Sequence, residues 1–149
     1  MGESVYIALG SNLGDRAAHL AFARARLDAL PGTRVTAASP IEETAPVGPV
    51  PQGPYLNQML RVDTTLAPDA LLAACLSIEA DAGRDRSTAV RWGPRTLDLD
   101  LLLFGDRQVD EPSLRLPHPE IAQRDFWQRE LRALGVEWSD ALARAQGRA

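Results

Sequence analysis

Leu97, Leu99 and Leu101 alternate with Asp98 and Asp100, a pattern that makes this segment an extended strand, leucine on one face and carboxylate on the other. A chain carrying such a strand must build a sheet with at least one face buried on a core. Residues two apart in a strand lie ~7 Å apart along it. Both carboxylates can therefore converge on a pair of hard cations, and magnesium takes a few carboxylates, waters and phosphate oxygens. Alone, Leu-Asp-Leu-Asp reads more readily as a half-exposed strand with its polar side in water. The flanking residues reverse that reading.

Those flanking residues are basic and stiff. Residues 91–100 read Arg-Trp-Gly-Pro-Arg-Thr-Leu-Asp-Leu-Asp, and Arg84, Arg86, Arg91 and Arg95 all precede the acidic pair. A run of like charge is costly to hold together without anions. A metal-bound polyphosphate supplies them, and Arg forks stabilise charge that builds on oxygens during phosphoryl transfer. Ser87, Thr88 and Ala89 are small residues suited to a mobile lid. Trp92 reads either as an anchor for this loop or as a cover that closes over a ligand and excludes water. All 16 basic residues are Arg. Without a lysine, the Walker P-loop route to nucleotide binding is closed, which leaves Arg, backbone amides or metal to hold phosphate.

Periodicity orders the rest. Residues 4–9 read as a buried strand, and Gly10-Ser11-Asn12-Leu13-Gly14 as a turn too weak in pattern to be a phosphate loop. Asp15 is positioned to cap a helix whose apolar face is Leu20, Ala23, Leu27 and Leu30, ended by Pro31-Gly32. His19 lies mid-helix and reads as a surface residue. A strand is expected at about 34–39. Residues 44–54 hold four prolines and two glycines and read as a long functional loop. Residues 55–65 alternate: Tyr55, Asn57 and Met59 share one face, Leu56, Leu60 and Val62 the other. Pro68 opens a helix with core face Leu71, Cys75, Ile78 and Ala82, stopped by Gly83. The strand 97–104 follows, then a turn at Gly105-Asp106 and a rigid loop, Leu116-Pro117-His118-Pro119. From about 120 the chain reads as helical, with Ser139 or Asp140 as cap of the last helix. The order β-α-β-β-α-β then helix predicts an α+β fold: a ferredoxin-like core, an antiparallel sheet with helices on one face.

Bulk properties narrow the class. The chain of 149 residues suits one domain with a proper core. A net charge of −4 argues against a general nucleic-acid binder. No apolar run approaches the ~18–20 residues that span a bilayer, and no secretory signal is evident. A single cysteine, Cys75, excludes an internal disulfide and fits a cytoplasmic protein. Nothing marks an oligomer interface, so a monomer is expected. Tyr55 reads as a core residue or, with Asn57, as part of a pocket for a flat heterocycle stacked and read at its edge; Phe126 is a candidate second wall. His118 reads as a hydrogen-bonding residue rather than a metal ligand.

Four segments together resemble a known family. Ala8-Leu9-Gly10-Ser11-Asn12-Leu13-Gly14, Tyr55-Leu56-Asn57, the stretch 91–100 and Leu116-Pro117-His118-Pro119 are similar, in order and spacing, to 6-hydroxymethyl-7,8-dihydropterin pyrophosphokinases of folate biosynthesis. The resemblance runs from about residue 4 to 126. It implies transfer of the β,γ-pyrophosphoryl group of ATP to the hydroxymethyl oxygen of the pterin, releasing AMP. It implies that Asp98 and Asp100 bind two Mg²⁺ ions and that Arg84 and Arg95 stabilise the transferring group. Glu79, Arg86, Arg91, Leu101, His118 and Arg124 fall at or near ATP-contacting positions, with Trp92 closing over the site. Thr44, Ala45 and Val47 match a loop whose backbone reads the pterin. Tyr55 and Phe126 match its two stacking rings, and Asn57 its edge-reading amide.

This chain also departs from the pattern. Glu42 stands where the family often has an aromatic, and Leu76 replaces a polar residue of some relatives. The loop between Arg86 and Arg91 is one residue longer than in some. After Phe126 the family commonly continues as an apolar stretch, whereas here Trp127-Gln128-Arg129-Glu130 follows. Two other readings use the same residues: a metal-dependent phosphohydrolase, in which the Asp pair activates water, and a non-catalytic binding module.

Overall fold

The computed structural model of the chain describes residues 2–46, 48–83 and 96–147. Its order is β1 (Glu3–Ser11), α1 (Arg16–Asp28), β2 (Thr33–Ala38), β3 (Glu42–Thr44), β4 (Tyr55–Thr64), α2 (Pro68–Asp81), β5 (Asp98–Phe104), β6 (Val109–Glu111) and β7 (Leu114–Leu116), then α3 (Asp125–Ala133) and α4 (Trp138–Ala145). A short 3₁₀ turn, Ile121–Gln123, precedes α3. The main sheet is antiparallel in the order β2-β4-β1-β5, with β3 also paired to β4. This is the expected ferredoxin-like α+β arrangement.

Local chemistry sets the helix ends. The Asp15 carboxylate accepts from the Ala18 N–H at 3.1 Å, as its position before the apolar periodicity predicts. Gly32 turns the chain after α1 at φ +60, where a Cβ would lie 2.1 Å from Thr65 Oγ1. Pro68 opens α2, where its missing N–H costs nothing. The cap of α4 differs from expectation. Glu137 holds that position, and Ser139 and Asp140 lie inside the first turn.

Helices cover both faces of the sheet, not one. On the first face Val5, Ile7 and Leu9 of β1, Leu60 and Val62 of β4 and Leu99 of β5 pack against Leu20, Ala23 and Leu27 of α1 and Leu71, Cys75 and Ile78 of α2. Each buried Val, Leu or Ile among them contributes roughly 1.5–3 kcal/mol. On the second face Ala8, Met59, Leu102 and Leu103 pack against Trp127 and Leu131 of α3 and Ala141 of α4. The sheet needs this second layer because its strands are apolar on both sides toward one end.

A bulge makes that possible in β5. Leu101 pairs with Ile7 and Leu103 with Tyr6, so Leu102 is an extra residue. Leu102 and Leu103 both join the second core, while Leu101 and Phe104 belong to the first. The strict alternation of 97–101 therefore stops at the bulge.

Candidate active site

The site grows from the second face of the sheet at its open end. Asp98 lies opposite Gly10, and Gly10 opposite Asn57, which in turn pairs with Glu42. One row thus runs Glu42–Asn57–Gly10–Asp98 across four strands. The next runs Met59–Ala8–Asp100. Neighbouring strands are ~4.8 Å apart, so Asn57 and Asp98 are separated by roughly 10 Å of sheet. Gly10 keeps the middle of the row low. A Cβ there would stand 3.2 Å from Asn57 Oδ1 and 3.3 Å from Tyr55 Cδ1, inside ordinary contact.

On the β4 side, Asn57 is buried and its Nδ2 donates to Thr44 Oγ1. Thr44 pairs with Tyr55 across β3 and β4, so the expected edge-reading amide is held by the segment expected to read the same ligand. Tyr55 and Phe126 are half-buried and Ala45 is exposed. Phe126 packs on the second core and stands edge-on to Trp127, centroids 6.0 Å apart.

On the β5 side the two carboxylates share a face, as their spacing predicts. Asp100 lies 4.0 Å from His118 Nε2. The His118 ring is fixed on two sides: its Nδ1 accepts from the Glu120 N–H at 3.1 Å, and Trp127 meets it edge-on at 4.9 Å. Its backbone N–H donates to Leu102 O at 2.9 Å, on the outer edge of the last strand. Because Nδ1 accepts, a neutral ring carries its proton on Nε2, toward Asp100. Burial first pushes the His118 imidazole down to about 4, so the ring is neutral at pH 7. Hydrogen bonding, rather than metal ligation, is the role its sequence context predicts.

Asp100 is pushed up to about 7, by burial first and by Asp98 next, with Glu79 and Glu120 adding to it. Its side chain still keeps 41% of its surface in contact with solvent, so its desolvation is partial. The carboxylate repulsion is what a cation would relieve. Among the described residues no group of three or more His, Cys, Asp or Glu could hold a metal ion. Two carboxylates suffice for magnesium when phosphate oxygens and water complete the octahedron, so the donor set fits that ion.

Glu79 is buried behind β5, and its Oε2 accepts from the Leu99 N–H at 2.8 Å, satisfying an edge-strand donor. Arg124 stacks over Trp127 at 4.4 Å and donates to Glu120 Oε1 at 3.1 Å. Its charge partly offsets the repulsion at Asp100. Leu101 is buried and lines a cleft of about 370 Å³ that abuts Asp100. Leu72, Leu99, residues 112–115 and residues 118–120 complete the lining. Arg84, Arg86, Arg91, Trp92, Arg95 and Val47 lie outside the described residues.

Several contributors are invisible to motif reading. The β6–β7 hairpin walls the cleft with Ser113, Leu114 and Arg115. Its only signal is Pro112-Ser113 between two three-residue apolar-polar runs. Asn12 Nδ2 donates to Gln52 Oε1 at 2.7 Å and to Gly53 O at 3.0 Å. Arg16 Nη1 donates to Pro54 O at 3.0 Å and Glu43 Oε2 at 3.1 Å. These bonds pin the proline-rich loop to the β1–α1 turn. His19 is not simply a surface residue: it is half-buried, and its Nδ1 lies 3.3 Å from Ser11 Oγ.

Residues 6–135 match the family model described as 7,8-dihydro-6-hydroxymethylpterin-pyrophosphokinase. The chain is similar to three bacterial proteins named 2-amino-4-hydroxy-6-hydroxymethyldihydropteridine pyrophosphokinase. The Pseudomonas aeruginosa protein is 44% identical over 126 residues, 85% of this chain and 76% of its own length. That of Methylorubrum extorquens is 47% identical over 121 residues, 81% and 75%. The Bacillus subtilis protein is 44% identical over 126 residues, 85% and 74%.

Proposed function

This chain belongs to the 7,8-dihydro-6-hydroxymethylpterin-pyrophosphokinase family, and from that premise we propose how its own residues carry the reaction. The family reaction moves the pyrophosphoryl group of ATP to the hydroxymethyl group of the pterin in folate biosynthesis, so the chain is a diphosphokinase. The hydroxymethyl oxygen attacks the β-phosphorus and releases its proton to solvent, the bond from that phosphorus to the bridging oxygen of the α-phosphate breaks, and AMP leaves with that oxygen.

The observation that carries the residue assignment is the pair of strand rows. They put the Asp98–Asp100 face and the Asn57–Tyr55 face on one surface, parted only by Gly10 and Ala8. Asn57, held by Thr44, reads the edge of the heterocycle, with Thr44, Ala45 and Val47 beside it. Tyr55 and Phe126 stack on its two faces. Asp98 and Asp100 hold two magnesium ions, which, when bound, supply the positive charge that neutralises the phosphates. Neutral His118 donates from Nε2 and carries no charge to compete with a cation at Asp100.

The cleft beside Asp100, bordered by Leu101, His118 and Glu120, takes the nucleoside end of ATP, and Glu79 and Arg124 belong to the same nucleotide side. Arg84 and Arg95 stabilise the transferring group, and Arg86, Arg91 and Trp92 complete the nucleotide side. Residues 1–149 work as a single, monomeric domain in the cytoplasm. Among the described residues no helix is long and apolar enough to cross a membrane.

The test is product identity. With Mg²⁺, ATP and 6-hydroxymethyl-7,8-dihydropterin all present, AMP and the pterin diphosphate should form, and omission of the pterin or the metal should stop it. ADP as product, or turnover without pterin, would overturn the reading.

A further inference from the structure

A second acidic cluster sits one strand beyond the pterin face, and the reaction as derived does not use it. Glu130 lies on the inward side of α3, one turn after Phe126, and is 3% exposed. Among the described residues neither of its carboxyl oxygens has a hydrogen-bond donor in reach. Its neighbour is itself a carboxylate: Glu42, the first residue of β3 and the register partner of Asn57. Glu42 accepts from Arg129 Nη2 at 3.1 Å, and Arg129 is tethered by Asp125 at 3.3 Å.

Two buried oxygens without a donor, beside an anion, are compatible only with a neutral acid. The Glu130 O–H can then turn to Glu42, whose other bond is to Arg129. Burial and Glu42 both favour this protonated form, and Arg129 opposes it more weakly. Glu42 and the Arg129-Glu130 pair are also two of the places where this chain departs from the family pattern, and they meet in space.

The connection matters because of what each element carries. β3 carries Thr44, the partner of Asn57. α3 carries Phe126 in its first turn. We propose that Glu42, Arg129 and a protonated Glu130 form a clasp between β3 and α3 that positions the two walls of the pterin site, the Thr44–Asn57 edge and the Phe126 ring. Glu42 and Glu130 are thus positioning residues, and the inference rests on the pterin reading given above.

Steady-state assays of AMP formation, varying pterin and ATP separately, test the clasp. Glu130→Ala should raise the pterin KM about tenfold while kcat and the ATP KM move less than about twofold. Glu130→Gln keeps a neutral donor for Glu42 and should restore the wild-type pterin KM. The wild-type pterin KM should climb between about pH 8 and about pH 10, and that of Glu130→Gln should not. The charged groups facing Glu130 in that range are Glu42 from β3 and Arg129, with Asp125, from α3 itself.

An unchanged pterin KM in Glu130→Ala, an equal rise in the ATP KM, or no rescue by Gln would each overturn the clasp. If Glu130→Ala does not fold, Glu42→Ala at the half-exposed end is read by the same criteria. A wild-type enzyme that makes no pterin-dependent AMP would overturn the pterin reading and the clasp with it. Unaltered variants beside an active wild type would overturn the clasp alone.

Discussion

Asp100, His118 and Glu130 are three partly or fully buried titratable groups, and their shifts act on stability in different directions. His118 has a folded value depressed to about 4 from 6.5, so it contributes stability that is present above pH 6.5 and lost as pH falls toward 4. Asp100 and Glu130 are raised, to about 7 and about 9. Their contribution is complete below the ordinary carboxylate range and is lost as pH rises through those values. Below about pH 6.5 the His118 slope opposes the other two. Above about pH 7 only Glu130 remains, with a limiting slope of about 1.4 kcal/mol per pH unit. Urea titrations of the metal-free protein should therefore show stability falling between pH 7 and pH 9, and Glu130→Gln should flatten that fall. A wild-type curve that is level across this range would contradict a neutral Glu130.

At the same scale, Asp98→Ala and Asp100→Ala should each lower kcat by about 10²-fold or more with the fold intact by circular dichroism. That Asp98 and Asp100 share a face was legible because leucine–aspartate alternation fixes one. Glu130 was not: a lone glutamate in a helical stretch reads as solvated until the sheet beside it is known.

Among the elements, the long ones were legible and the short ones were not. α1 announces itself by Asp15 before it, Leu20, Ala23 and Leu27 along it, and Pro31-Gly32 after it. Leu27 is fully buried between α1 and the sheet, so Leu27→Ala should cost about 2–5 kcal/mol in chemical denaturation. Asp15→Ala removes the bond to Ala18 and should cost about 1 kcal/mol. A loss for Leu27→Ala no larger than that for Asp15→Ala would contradict the burial. β3, β6 and β7 have three residues each, too few for a period of two to stand out. Their pairing depends on β4 or on one another, which are partners set by the whole fold. The bonds from Asn12 and Arg16 to the proline-rich loop likewise join residues tens of positions apart.

The molecule as a whole is a sheet between two helical layers, and the second layer packs directly against the candidate site. Trp127 is buried in that layer, yet it also meets His118 edge-on and lies under Arg124. Trp127→Ala should cost about 3–5 kcal/mol, and the remaining His118 imidazole should titrate at higher pH by NMR as its site opens to water. A purely structural tryptophan would leave the His118 titration where it is. The resemblance to the family ended near Phe126, so the helices beyond it were legible only as helices. That they turn back to cover the far face follows from Ala8, Met59, Leu102 and Leu103 being apolar there, a fact split among three strands.

The bulge at Leu102 has a consequence for how this chain tolerates insertions and deletions. β5 is two half-strands in opposite phase, joined at one extra residue. Deleting Leu102 would restore a single phase with Leu103 and Phe104 still in their layers and Asp98 and Asp100 still registered with Gly10 and Ala8, so that only one leucine is lost from the second core. A deletion within 98–101, with the strand beyond it held in register, would instead change phase and exchange carboxylate for leucine at the site. Seven residues of one strand thus contain two reading frames, one answering to chemistry and the other to stability.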